Sequence, residues 1–155
     1  MSAQPGIDPR SPRFGAGITA VLLLVAIGLS LSGVQIAALI VLGAIVALFA
    51  WGAFAGIRRH PYGAIFRALI RPRLAAPSEL EDPVPPTFAQ GVGFVITGVG
   101  FVLALVGVPS AIVIFAALAF VAAFLNSVFG YCLGCQIYLL LARAGILGRK
   151  GATPA

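Results

Sequence analysis

The chain has 155 residues, of which 61% are hydrophobic and 9% are charged, and its formal net charge is +6. Soluble domains carry about 25% charged residues, so this composition excludes an ordinary soluble domain. Two stretches, Phe14–Ile57 and Val84–Ala142, contain no Asp, Glu, Lys or Arg. A bilayer core needs about 20 apolar residues per helix, so each stretch is long enough for two spans. We therefore predict an integral membrane protein.

The predicted spans follow the apolar runs and end where Gly, Pro and polar residues interrupt them. Helices are expected rather than strands, because lipid offers no partner to an unpaired backbone group and the runs lack the alternation of a membrane barrel. In chain order the spans are Phe14–Leu31, Ile36–Ile57, Phe88–Val108 and Ser110–Phe129.

An ungapped match at an offset of 74 residues indicates an internal repeat. The segment "DPRSPRFGAG" at 8–17 aligns with "DPVPPTFAQG" at 82–91, and Gly56 aligns with Gly130. The fold class we predict is an all-α membrane protein of two tandem duplicated helical hairpins, related by a pseudo-twofold axis along the membrane normal, with interfacial amphipathic helices. The predicted parts are an N-terminal tail (1–13), the first hairpin (14–57), an amphipathic helix and Pro-rich linker (58–87), the second hairpin (88–131) and a C-terminal helix and tail (132–155).

The basic residues predict the orientation in the membrane. All ten Lys and Arg residues fall on one side of a four-span topology. By the positive-inside tendency this side is the cytoplasm, so both termini are expected there, in the inner (plasma) membrane. The positive charge predicts contact with anionic lipids rather than with nucleic acid, notably through Arg67, Arg71 and Arg73.

Both cysteines of the chain lie in the string "NSVFGYCLGC" at the end of the last span. Cysteines at positions i and i+3 of a helix share one face, so Cys132 and Cys135 can form a disulfide with little movement. Gly130 allows a break before them and Gly134 relaxes the backbone between them. A thiol at a helix N-terminus or beside a cation has a lowered pKa and is a better nucleophile. The bland alternative is two small apolar residues packed in a membrane helix.

Other residues are candidates to support these thiols. The offset of 74 places Arg58, Arg59 and His60 at the membrane depth of the cysteines, where they would stabilise a thiolate or another anion. Asn126 is expected to bond backbone groups freed at the Gly130 break, with a place in the thiol site as the alternative. Two Cys and one His are too few for a structural zinc site, so we predict no metal and no cofactor.

The cysteine string, the "DPVPPTFAQGVG" entry and the "RHPYGAIFRALIRPRL" segment resemble the bacterial membrane family catalogued as domain of unknown function 4395. The resemblance extends from about Asp8 to Arg143. It implies a small multi-span protein whose genes often adjoin, or fuse with, genes for thioredoxin-like and sulfurtransferase proteins. It implies no defined reaction, substrate or oligomeric state.

We therefore expect a membrane-embedded dithiol protein. Cys132 and Cys135 would exchange electrons or sulfane sulfur with a soluble thioredoxin-like or rhodanese-like partner. Two alternatives stay open: a transporter of a small sulfur compound, and a non-catalytic membrane anchor for a soluble enzyme. Whether the chain is an enzyme, and which cysteine attacks, is left open at this point.

Overall fold

The computed structural model describes residues 5–147, and over this range the chain is a bundle of helices. The ends of both predicted tails lie outside the described residues, at 1–4 and 148–155. Arg149 and Lys150 are among the residues that are not described. The helices are α1 (Arg10–Leu31), α2 (Gln35–Ala55), α3 (Pro61–Ile65), α4 (Val84–Leu105), α5 (Ala111–Phe129) and α6 (Leu133–Arg143). Helix α3 continues through a π-helical turn at Phe66–Ile70 and a 3₁₀ turn at Arg71–Arg73.

Four of these helices are long and apolar enough to cross a membrane, which confirms the prediction of four transmembrane helices. They are α1, α2, α4 and α5, of 19 to 22 residues, with mean hydropathy between 2.0 and 2.5. Only 11 to 28% of each apolar window is buried inside the bundle. An outer surface this apolar is stable in lipid and prone to aggregation in water.

Helices α1 and α4 each begin four residues before the predicted spans, because an Asp-Pro pair starts each helix. Asp8 Oδ1 accepts the backbone N–H of Arg10 at 3.0 Å, and Asp82 Oδ1 accepts that of Val84 at 2.9 Å. These carboxylates satisfy N–H groups that have no partner within the helix. The two helices therefore start at polar residues outside the apolar run.

The interior of the bundle is built on close approach between helices. The most extensive contacts join α1 with α5 and α2 with α4. Alanines from α1, α2 and α5 form much of the buried core around Leu23 and Leu42. Glycines on α4 receive aromatic rings, since a Cβ at Gly93 would lie 2.4 Å from the ring of Phe49 on α2. Small residues at these contacts let the helix backbones come close in a membrane.

Helices α3 and α6 follow the two hairpins and pack on α1 and α4, respectively. Phe66 anchors the α3 segment, because its side chain is 2% exposed and its ring centroid lies 5.8 Å from that of Phe14. Arg67, Arg71 and Arg73 are exposed on the same segment. An apolar anchor with exposed arginines is the pattern of a helix at the membrane surface.

Candidate functional site

The cysteine pair forms a disulfide at the start of α6. Cys132 and Cys135 are joined with their Cα atoms 5.2 Å apart. Gly130 ends α5 with a φ of 67°, a left-handed conformation that turns the chain out of the helix. Cys132 is the N-cap of α6, and its Sγ accepts the backbone N–H of Cys135 at 3.2 Å. The sulfur of Cys132 thus takes the place of the oxygen that usually caps a helix.

The two cysteines differ in their exposure to solvent. Cys135 is buried, with 6% of its surface exposed, whereas Cys132 is half-buried. A reagent in solution therefore reaches Cys132 more easily than Cys135. This difference gives the pair an outer and an inner cysteine.

Gly134 holds the disulfide against the bundle. A Cβ at this position would lie 2.5 Å from the Cβ and 2.6 Å from the Cα of Ala89 on α4. The backbone of α6 can come this close to α4 only because residue 134 has no side chain. The predicted supporting role of Gly134 stays a prediction, and close packing gives it a physical basis.

One side of the disulfide forms part of a polar surface pocket of about 380 Å³. Both cysteines line it, together with Arg13, Glu79 and Glu81. The guanidinium of Arg13 lies over Gly130, with its Cζ 3.4 Å from the place of a Cβ there, and donates to the carbonyl of Val128 at 3.4 Å. Burial, and then the charge of Asp82, raise the pKa of Glu81 above its usual value.

The other side is an interior cavity of about 260 Å³, which Cys132 also lines. Most of the lining is apolar and comes from α1, α4 and α5. Five residues with polar side chains share the cavity wall: Thr19, His60, Tyr62, Gln90 and Asn126. Cys132 therefore lies between a polar pocket at the surface and a mainly apolar cavity inside the bundle.

His60 joins this cavity to the end of the first hairpin. Its side chain is 3% exposed, and its Nδ1 accepts the backbone N–H of Tyr62 at 3.2 Å, which caps α3. This bond assigns the ring hydrogen to Nε2, which lies 3.0 Å from the carbonyl oxygen of Leu48. Burial lowers the pKa of His60, and the Leu48 carbonyl opposes that shift. His60 is thus neutral and well held at pH 7.

The hydroxyl of Tyr62 is buried in the described part of the chain without a hydrogen-bond partner. Thr19 lies close enough to affect its titration, but no atom meets the geometry of a hydrogen bond to it. Burial raises the pKa of Tyr62, with Thr19 acting in the opposite direction. A donor left unpaired in this way costs about 1–3 kcal/mol.

The structure brings some of the predicted site residues together and separates others. His60 and Asn126 line the interior cavity with Cys132. Arg58 lines a different pocket with Asp8, Arg67 and Arg71, and Arg59 is exposed, with its carbonyl accepting the indole N–H of Trp51 at 3.0 Å. Their predicted role beside the thiols stays a prediction.

Asn126 acts on the Gly130 break through its backbone. Its carbonyl, rather than its side-chain amide, accepts the N–H of Gly130 at 3.0 Å. The side chain lines both the surface pocket and the interior cavity. This location favours the alternative reading, in which Asn126 belongs to the thiol site.

Sequence reasoning missed Arg13 and Tyr62 as site residues. The internal repeat could have indicated Arg13, because the offset of 74 residues aligns it with Thr87. Thr87 Oγ1 accepts the N–H of Ile57 at the end of the first hairpin, and Arg13 donates to Val128 at the end of the second. Tyr62 lies in the segment predicted to contain an amphipathic helix (58–87), and nothing in the sequence indicates that its hydroxyl is unpaired.

The model of the family described as a domain of unknown function (DUF4395) matches residues 7–143. The chain therefore belongs to that family. No curated protein and no solved structure matches the chain.

Proposed function

We propose that this member of the DUF4395 family carries out thiol–disulfide exchange with a soluble thioredoxin-like partner through Cys132 and Cys135. One observation carries the proposal: the disulfide lies at a helix N-terminus and lines a surface pocket, with Cys132 half-buried and Cys135 buried. This asymmetry separates the roles of the two cysteines. Cys132 is the sulfur that meets the partner, and Cys135 is the sulfur that leaves when the mixed disulfide forms.

The exchange balances as a two-electron transfer. A thiolate of the partner attacks Sγ of Cys132, the bond between Cys132 and Cys135 breaks, and Cys135 leaves and takes a proton. The second thiolate of the partner then attacks its own mixed-disulfide sulfur and releases Cys132. The partner becomes a disulfide, and the cysteine pair gains two electrons and two protons.

The N–H of Cys135 and the charge of Arg13 assist the release of Cys132. The N–H already faces Sγ of Cys132 in the disulfide form, and Arg13 lines the pocket that both sulfurs share. Donors and positive charges of this kind lower the pKa of a thiol and make its thiolate a better leaving group. With a rhodanese-like partner, the thiolate of reduced Cys132 would take the outer sulfur of the partner's persulfide, and the partner's own thiolate would leave.

We also infer that the disulfide faces the cytoplasm. The inference rests on the basic residues, all of which fall on the side of both termini and of the linker between the hairpins. A membrane-impermeant maleimide, applied to intact cells and to inside-out vesicles, tests it after reduction of the pair. Labelling of Cys132 only in inside-out vesicles is expected, and labelling in intact cells would place the site on the outer face.

We also propose that the two hairpins are an internal repeat, and the helix boundaries support this. Helices α1 and α4 have 22 residues each and start 74 residues apart, and α2 and α5 end with the same offset. The pairing of α1 with α5 mirrors that of α4 with α2. Superposition of residues 8–56 on 82–130 by a rotation near 180° about the bundle axis is expected. A rotation about an axis in the membrane plane would contradict the parallel duplication.

The exchange can be measured on the full chain in bilayer nanodiscs with reduced thioredoxin as the probe. Oxidation of the probe is followed by alkylation of its free thiols and gel shift. One disulfide of thioredoxin should form per oxidised protein, and the Cys132→Ser/Cys135→Ser variant should form none. Equal oxidation by the wild type and by this variant would overturn the proposal.

A further inference from the structure

We propose that the interior cavity beside Cys132 binds the ring of a lipid-soluble quinone, which reoxidises the cysteine pair. This inference rests on the proposed function, because it names the electron acceptor of the same disulfide. The cavity and the surface pocket share Cys132 in their walls. Cys132 thus borders both the surface pocket and the cavity inside the bundle.

The size and lining of the cavity favour a lipid-soluble occupant. Its volume of about 260 Å³ is slightly below the roughly 300–1,000 Å³ of pockets for drug-sized ligands, which suits a single ring. Leu118 and Ile137 line the cavity and are also 55% and 41% exposed on the apolar outer surface. The rim of the cavity thus reaches the surface that faces lipid, so a molecule dissolved in the bilayer has a route into it.

The polar groups favour a quinone over a fatty acyl chain. The buried hydroxyl of Tyr62 has no partner among the described residues, and Tyr62 and Gln90 both line the cavity. Both side chains can donate a hydrogen bond to a carbonyl oxygen. A quinone has two such oxygens on an apolar ring, whereas an acyl chain offers no acceptor inside the cavity.

The redox step balances with a quinone as the oxidant. After exchange with the partner, Cys132 and Cys135 are thiols. They give two electrons and two protons to the quinone, whose carbonyl oxygens become hydroxyls, and the sulfur–sulfur bond forms again. The sum of both half-reactions is oxidation of the partner dithiol and reduction of the quinone to the hydroquinone.

Binding is tested on a protein that cannot exchange thiols. The Cys132→Ser/Cys135→Ser variant in nanodiscs is photolabelled with an azido derivative of decylubiquinone, in competition with decylubiquinone or palmitic acid. Saturable labelling of cavity residues, displaced by decylubiquinone alone, is expected. Displacement by palmitic acid to the same extent, or labelling spread over the lipid-facing surface, would overturn the quinone site while leaving the proposed exchange intact.

Three variants of otherwise wild-type protein test the reduction of decylubiquinone after the cysteine pair is reduced. Ala122→Phe places a ring in the cavity wall and should abolish quinone reduction, while Ala117→Phe, on the same helix but outside the cavity lining, should not. Tyr62→Phe removes one hydrogen bond and should weaken quinone binding about 3- to 10-fold without lowering the thermal midpoint of the quinone-free protein. Unchanged binding in Tyr62→Phe, or equal loss in Ala117→Phe and Ala122→Phe, would contradict the site.

If thioredoxin oxidation fails but labelling persists, the exchange is wrong and the cavity remains a quinone site. If exchange persists and labelling fails, only the quinone inference falls.

Discussion

The ends of the two hairpins share one backbone plan but carry different chemistry. Each ends in a glycine with positive φ, Gly56 at 88° and Gly130 at 67°, and each leads to a short helix capped by a side chain. In the first hairpin the cap is His60, which is buried and hydrogen-bonded on both ring nitrogens. In the second the cap is Cys132, which is accessible and joined to Cys135. One end is thus held by fixed hydrogen bonds, and the other presents a bond that can be exchanged.

The largest expected effect is the difference between the stability costs of replacing Gly56 and Gly130 with alanine. Gly56 has φ 88° and ψ 151°, a region open almost only to glycine, whereas Gly130 has φ 67° and ψ 17°, the left-handed region. Gly56→Ala should cost about 2–3 kcal/mol and Gly130→Ala about 1–2 kcal/mol. Unfolding in mixed detergent micelles measures both.

Asparagine variants distinguish the two glycine positions further, because asparagine adopts the left-handed conformation more readily than alanine does. Gly130→Asn should regain part of the lost stability, and Gly56→Asn should not. Equal costs for all four variants would mean that the two ends do not differ in backbone strain.

A methyl group added at Gly134 should weaken the packing of α6 at the end of the second hairpin and leave the end of the first hairpin unchanged. Gly134→Ala forces α6 away from Ala89, and overpacking of this kind costs about 1–3 kcal/mol. The thermal midpoint should fall and exchange with thioredoxin should slow. The matched control is Gly98→Ala on α4, where nothing lies within 4 Å of the added methyl group. A drop of similar size in the control would show that the effect is not specific to the contact between α6 and α4.

The first end should respond to pH through His60, the single histidine of the chain. Burial holds its pKa below the usual value of 6.5. Its contribution to stability is therefore present above pH 6.5 and is lost as the pH falls toward the lower, folded-state pKa. Tyr62, whose ring centroid lies 4.7 Å away, stays neutral in this range because its pKa is raised.

The thermal midpoint in detergent should therefore fall between pH 7.5 and 5.5 in the wild type and change little in His60→Asn, which can still cap α3. Glu81 acts in the opposite direction, because its raised pKa favours the folded state at low pH. A fall that persists in His60→Asn would assign the response to another group.

The smallest expected effect concerns the arginines. Arg13 shares a pocket with both cysteines, whereas Arg58 lines a different pocket. The rate of alkylation of reduced Cys132 against pH should have a midpoint below the free-thiol value of about 8.5. Arg13→Gln should raise this midpoint by about half a unit, in line with the modest strength of exposed charge pairs. The double variant Arg58→Gln/Arg59→Gln should raise the midpoint less than Arg13→Gln does. A larger rise in the double variant would mean that Arg58 and Arg59 are the main positive charges acting on Cys132.

The sequence was sufficient for the parts of the fold that depend on composition and local pattern. Long uncharged runs predicted four spans, and the Gly and Pro residues that interrupt those runs predicted where the hairpins turn. The helix starts at Arg10 and Val84 were missed by four residues, because the apolar run and the capped helix do not begin at the same place.

The site was predictable only in part, for a reason of the same kind. The spacing of Cys132 and Cys135 is local, so it predicted that a disulfide could form. The partners of the pair are not local, since Arg13 comes from α1 and Ala89 from α4. Equal membrane depth suggested Arg58 and Arg59, whereas Arg13, on the helix α1 that packs against α5, lines the pocket that both cysteines share.

The most direct test of the account is to trap the mixed disulfide in each single-cysteine variant. Cys135→Ser and Cys132→Ser in nanodiscs are mixed with a thioredoxin variant whose second active-site cysteine is replaced by Ser and whose attacking sulfur is activated as an aromatic mixed disulfide. The adducts are identified by mass spectrometry after digestion. Cys135→Ser should form a stable adduct through Cys132 at least about tenfold faster than Cys132→Ser forms one through the buried Cys135, since access limits attack on the inner sulfur. Equal rates, or faster capture through Cys135, would contradict the assignment of Cys132 as the exchanging sulfur.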